Sequence, residues 1–239
     1  MCTNYRAPDE DPGLSELKIG LGDLWREKPW EREIYTDYLA PIVRLNEGRP
    51  EALLANFGFW PKALQRDARD RAKEEGKKVP LIRDTVNSRA ERIGESPLYG
   101  PSWRAGRRCL IPASWFYEPK YTPDDRTNER WRIGLATGEP CAIAGIWRTI
   151  QASGGQVMHA MSMITVNADE HPLLREFHRN RDARTGAPEE KRSVVIIRQG
   201  AYDDWLRCPT AEEARSFFTL LSEQELHAEA APREKKTEN

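Results

Sequence analysis

Cys2 is the residue with the most unusual chemistry open to it. Once Met1 is removed, a step that a small second residue permits, Cys2 carries a thiol and a free α-amine on adjacent carbons. An internal cysteine lacks that amine, because its nitrogen is tied up in an amide. An α-amine has a reference pKa of about 7.7–8.0, so a useful fraction is neutral and nucleophilic near pH 7. Such an amine condenses with an aldehyde to an imine. The neighbouring thiol then closes onto the imine carbon as a five-membered thiazolidine. Taken alone, a cysteine at this position is equally the chance occupant of a chain end.

Three other groups could serve that chemistry. In the run VNSRAERI, Asn87, Arg89 and Glu91 are spaced by two, which sets them on one face of an extended segment. Asn87 could orient a terminal amine or thiol, and the planar fork of Arg89 suits a phosphate. The alternative is a turn asparagine followed by surface charges. Glu118 follows Trp115-Phe116-Tyr117 and precedes Pro119. A carboxylate in apolar surroundings has a raised pKa and can act as acid or base near neutrality. It is equally a charge emerging at a strand end. His178 lies among Arg175, Arg179 and Arg181. It could carry a proton to a sugar oxygen as a furanose ring opens, or it is a surface histidine in a basic loop. His171, before Pro172, reads as a loop residue and His159 as a structural strand residue.

Overall charge does not single out a nucleic-acid binder. With 37 basic and 38 acidic residues the chain carries a net −1, whereas a protein that coats DNA is plainly basic. Any DNA contact must come from local patches. Residues 83–108 hold such a patch, with six basic residues (Arg83, Arg89, Arg92, Arg104, Arg107, Arg108) against Asp84, Glu91 and Glu95. This is the arrangement that sequence-independent phosphate contacts need. Trp60 and Trp103 lie near these motifs and either stack on bases or belong to the core. The cysteines at 2, 109, 141 and 208 form no CxxC pair, and the histidines show no ligand spacing with them. Neither a metal site nor a disulfide framework is expected, and no cofactor. A reducing cytosol would keep Cys2 a free thiol. No run of about 18 apolar residues could cross a membrane, and MCTNYRAPDED is not a secretory signal. A cytoplasmic setting follows, nucleoid-associated in a bacterium.

The elements that must position these residues read mostly as strands. Residues 41–46 and 52–59 are strand-like and joined by the turn signal Glu47-Gly48-Arg49-Pro50. Further strand-like runs fall at 108–117, 131–136, 141–148, 157–167 and 193–198. Pro, Gly and Asp separate them rather than long amphipathic helices, which favours a mostly antiparallel sheet or barrel over a βαβ repeat. Short helices are expected at 14–28, interrupted near Gly20 and Gly22, and at 201–207, with a longer one over 210–228. Residues 62–78 interleave acids and bases, which predicts a solvated helix or mobile insertion. The tail after Ala231 is expected to be disordered.

Together these residues resemble the SRAP (SOS response-associated peptidase) family, DNA–protein crosslinking proteins that shield abasic sites. The matching runs are Met1-Cys2, FGFWP (57–61), VNSR (86–89), RRCLIPASWFYEP (107–119), AIAGIWR (142–148), MITVNA (163–168), FHRNR (177–181), SVVII and YDDWL. Each is short, and their shared order and spacing carry the likeness. The resemblance implies an α+β fold, a single domain with a central, mostly antiparallel barrel-like sheet flanked by short helices. On that reading residues 1–222 are the domain, with a charged insertion at about 62–80, and 223–239 are a helical extension and disordered tail. It implies an enzyme whose Cys2 bonds to the ring-opened sugar in single-stranded DNA. Asn87 would position the Cys2 amine, Glu118 would serve as acid and base, and His178 would assist ring opening or elimination. Arg89 would hold a phosphate, with Trp60, Trp103, Arg107, Arg108 and Arg179 as further DNA contacts. A monomer with no membrane partner is expected. The chain reads Cys2-Thr3-Asn4 where the family commonly has Cys-Gly-Arg. Two other functions remain open: a cysteine peptidase limited to its own Met1–Cys2 bond, and a DNA-binding module without chemistry.

Overall fold

The computed structural model describes residues 2–8, 21–122, 127–151, 155, 157–177 and 185–233. The first stretch holds β1 (Asn4–Arg6), α1 (Leu21–Glu27), β2 (Glu33–Tyr35), the hairpin β3 (Leu39–Asn46) and β4 (Arg49–Phe57), and α2 (Lys62–Glu74). Next come β5 (Asn87–Arg89), α3 (Gly100–Arg104), β6 (Arg108–Ala113), β7 (Trp115–Tyr121) and β8 (Asn128–Leu135). The two longest strands follow, β9 (Cys141–Gln151) and β10 (Val157–Asn167). The last elements are β11 (Arg192–Val194), β12 (Ile196–Ile197), α4 (Tyr202–Arg207) and β13 (Leu226–Ala230).

The β3–β4 hairpin forms where the sequence signals it. Glu47 and Gly48 take left-handed φ values of 50° and 76°, a turn whose twist suits two antiparallel strands. The register then runs from Asn46↔Arg49 to Leu39↔Asn56. From this hairpin a five-stranded barrel closes: β3 pairs with β6, β6 with β9, β9 with β10, and β10 returns parallel to β4. Closure removes the free sheet edges that invite unwanted pairing. Residues from all five strands, among them Ile42, Phe57, Ile111, Ile146 and Met163, are fully buried. Gly145 is required by close approach, since a Cβ there would lie 2.7 Å from Ile111 Cδ1 and 2.9 Å from Cys109 Sγ.

A second sheet, ordered β13-β8-β7-β1-β2, is antiparallel throughout. Ser114 is the corner where the chain leaves the barrel and enters this sheet, and its N–H donates to Arg6 O at 2.8 Å. The run 108–117 is therefore two strands in two sheets rather than one. The run 193–198 is likewise split, at Val195, whose N–H donates to Ile164 O and whose carbonyl accepts from Ala144.

The helix expected over 210–228 is overturned. Residues Glu213–Phe217 and Glu223–Glu225 are 3-10 turns, and Leu226–Ala230 is a strand on β8. Leu226, Ala228 and Ala230 alternate with His227 and Glu229, and strand pairing overrides the helical preference of Ala, Glu and Leu. The helical extension expected beyond 222 falls with it. The charged run at 62–78 does form a helix, α2, which is docked rather than free. Buried Gln65 donates to Trp60 O and Arg83 O and accepts from the Arg83 N–H.

Candidate active site

The start of the chain is fixed by sheet pairing. β1 lies against β7 with Tyr5↔Phe116 and Arg6↔Trp115. Continued backwards, that register sets residue 3 opposite Glu118 and residue 2 opposite Pro119. Cys2 is buried, 1% exposed, and its Sγ donates to Asn4 O at 3.4 Å. Burial pushes the thiol up to about 12, and the negative charge of Glu118 adds to the rise. Backbone hydrogen bonds at Asn4 and Tyr117 oppose it. At neutral pH this sulfur is a protonated thiol and needs a base before it can attack.

Asn87 reaches the same point from the other sheet. β5 runs parallel to β10, with Asn87 opposite Met163. The Asn87 side-chain Nδ2 donates to Cys2 O at 2.7 Å across 85 positions of sequence. Its Oδ1 is buried and accepts no hydrogen bond among the described residues. The backbone of Asn87 is braced by Tyr99, whose hydroxyl donates to Asn87 O at 3.2 Å and whose ring packs on Phe59.

Glu118 is buried, 2% exposed, and Lys191 Nζ lies 3.5 Å from its Oε2. Lys191 is itself only 7% exposed. Its N–H donates to Asp169 Oδ1 and its carbonyl accepts from Ala168 N, both at 2.8 Å. The fourth group, around Arg89, is at the surface. Arg89 Nη1 stands 3.7 Å from Glu190 Oε2, and Glu190 also takes bonds from Arg192 and Asn167.

The structure thus brings Cys2, Asn87 and Glu118 together and leaves Arg89 exposed nearby on the same strand as Asn87. Arg107 is exposed, and half-buried Trp60 lines a groove of about 830 Å³ with Leu64, Arg148 and Ile150. Two expected DNA contacts are corrected. Trp103 is buried against Trp205 and Phe218. Arg108 is buried with its guanidinium donating to the carbonyls of Trp205 and Cys208. Both hold α4 onto the barrel and neither faces solvent. His178 and Arg179 lie outside the described residues. Phe177, just before them, is bridged to Lys120, two residues beyond Glu118. Sequence reasoning missed Lys191 and Tyr99. Lys191 stands in the charged run EEKR with nothing to distinguish it from a solvated lysine, and Tyr99 in a loop with no periodicity. Among the described residues no group of three or more His, Cys, Asp or Glu is placed to hold a metal. No described helix is long and apolar enough to cross a membrane.

Comparisons with known proteins point one way. The family model described as SOS response associated peptidase (SRAP) matches residues 22–235. Residues of this chain are similar to the abasic site processing protein YobE of Bacillus subtilis, 31% identical over 93 residues. That match covers 39% of this chain and 41% of YobE. A protein named abasic site processing protein YoqW, from Bacillus phage SPbeta, is also 31% identical over 93 residues, covering 39% of this chain and 40% of its own length. Among solved structures, a Bordetella bronchiseptica protein superposes with a TM-score of 0.74 at 26% identity, over 97% of this chain and all of that one. A Bacteroides thetaiotaomicron protein at 17% identity shares the fold, with a TM-score of 0.69 over 96% of this chain and 91% of its own.

Proposed function

The chain belongs to the SOS response associated peptidase (SRAP) family, and from that premise we propose that it captures abasic sites in single-stranded DNA as a covalent adduct on Cys2. The observation that carries this reading is the hydrogen bond from Asn87 to Cys2 O, made where the Glu118 charge is felt at the thiol. The names of the partial relatives support the same substrate.

Met1 is first released by hydrolysis, a step assigned to the same three residues. The freed α-amine then attacks the C1′ aldehyde of the ring-opened sugar, and the resulting carbinolamine loses water to give an imine. The Cys2 thiol adds across the C=N bond. Its sulfur joins C1′ and its proton passes by way of Glu118 to the nitrogen, closing the thiazolidine with one water lost overall. Asn87 Oδ1 is the acceptor available to orient the amine. His178 is assigned to sugar ring opening, and Arg89, Arg107, Arg179 and Trp60 to the flanking DNA. The adduct shields the lesion during replication. The raised thiol argues against a general thiol peptidase, which needs a thiolate near neutral pH.

Incubation with single-stranded DNA carrying one abasic site should give a heat-stable, slower-migrating band, and intact mass should show loss of Met1. A band that persists in Cys2→Ala, or a mature protein that retains Met1, refutes the proposal. Salt-sensitive binding with no covalent product would instead identify a module without chemistry.

A further inference from the structure

We propose that Lys191 is a positioning residue that holds the Glu118 carboxylate ionised and oriented for the proton transfers at Cys2; the inference rests on the capture reading above. Lys191 and Glu118 are both buried, 3.5 Å apart. An isolated carboxylate in such a place favours its neutral form, because burial penalises the charge, and an opposite charge within about 4–6 Å reverses that preference. The lysine is built in rather than draped. Its backbone is tied to Asp169 and Ala168, so the ammonium is delivered from a fixed strand edge.

Several charged and titratable groups of the described residues near Glu118 are neutral or engaged elsewhere. From β1 the Cys2 thiol faces it, a group that is neutral at pH 7. Along β7, two residues on, Lys120 is paired with Glu176 and lies over the ring of Trp131. From β8, Trp131 is the residue opposite in the register. The flanking Arg130 and Arg132 of β8 are paired with Glu33 and Glu229.

Removing Lys191 has two consequences of the same sign. Glu118 takes up a proton at a higher pH, so less base is present near neutrality. The α-ammonium of processed Cys2 then bears more of the compensation of the Glu118 charge, which favours its charged, non-nucleophilic form. Both move the acid limb of the crosslinking rate upward in pH. The test is single-turnover crosslinking of processed protein from pH 5 to 9. For Lys191→Met the acid limb should rise by about one pH unit, with the rate at neutral pH down about tenfold and recovered at the alkaline end. Lys191→Arg should stay near the wild-type limb. A uniform loss across the pH range in Lys191→Met, or an unmoved limb, overturns the role of Lys191 while leaving capture intact. Absence of adduct in the wild type at every pH overturns capture itself. Should Lys191→Met fail to fold, carbon-13 carboxyl NMR of the processed wild type decides, with Glu118→Gln as the assignment control. A Glu118 carboxylate ionised at pH 6 supports the proposal, and a protonated one overturns it.

Discussion

Lys191 and Arg192 are neighbours in the chain, both take their cations out of solvent, and they end in unlike surroundings. All three nitrogens of the Arg192 guanidinium donate: to Glu190, to both oxygens of Glu91 and to the Thr165 carbonyl and hydroxyl. Its two acids are partly open to water, with Glu91 49% and Glu190 35% exposed. Lys191 instead meets Glu118 where both partners are out of water, at a distance long for a hydrogen bond. A buried pair of that kind is poor evidence for stability, because desolvation offsets the attraction. The contrast separates a brace, in which all three guanidinium nitrogens donate, from a buried ion pair beside Cys2 for which an acid–base role is proposed.

The largest effect expected from this contrast is in Glu118→Gln, which should slow crosslinking by about a hundredfold or more while changing DNA affinity far less. Equal losses in rate and affinity would turn Glu118 into a second brace. Next, Arg192→Met should cost about 2 kcal/mol in urea denaturation, with the crosslinking rate of the folded fraction within about twofold of wild type. A rate loss as large as that of Glu118→Gln would erase the distinction. Arg89→Ala, which removes the exposed cation sharing Glu190 with Arg192, should weaken DNA binding. It should also make the salt dependence shallower by about 0.7 in slope, the share of one phosphate on a single strand. An unchanged slope removes Arg89 from the DNA contacts. The smallest effect concerns the thiol. The folded state raises the Cys2 pKa from 9.0 to about 12, so the folded form binds this proton more tightly. That contribution is complete below pH 9 and fades between pH 9 and 12. Urea denaturation at pH 8.5 and pH 10 should show wild type losing about 1 kcal/mol more than Cys2→Ala over that interval. Equal losses would mean the sulfur is solvated in the folded protein.

Much of the fold was legible because the strands announce themselves. The turn at Glu47-Gly48 and the Ile- and Val-rich runs at 141–148 and 157–167 need only local rules, and the barrel follows from pairing them. Ser114 carried no such sign, since a strand that changes sheets keeps its alternation. Residues 226–230 failed for the opposite reason: Ala and Glu favour a helix, and only β8, almost a hundred positions earlier, makes them a strand. At the site, residue types alone left alternatives open for Cys2, Asn87 and Glu118; the resemblance singled the three out, and the fold brings them together. Trp103 and Arg108 misled because side-chain type marks chemistry and not burial. Arg107 and Arg108 are adjacent and identical, yet one faces water and the other the carbonyls behind α4.

The strand at 226–230 has a consequence for biosynthesis. It borders the same sheet that holds β1 and, by way of β8, the strand carrying Glu118. A growing polypeptide passes from the ribosome amino end first, so the residues around Cys2 emerge long before the border of their own sheet exists. Translation must pass residue 230 before that sheet has its full width. A product halted after the barrel but short of this point would keep most of its core and the β1–β7–β8 pairings, and would leave the outer edge of β8 unpaired.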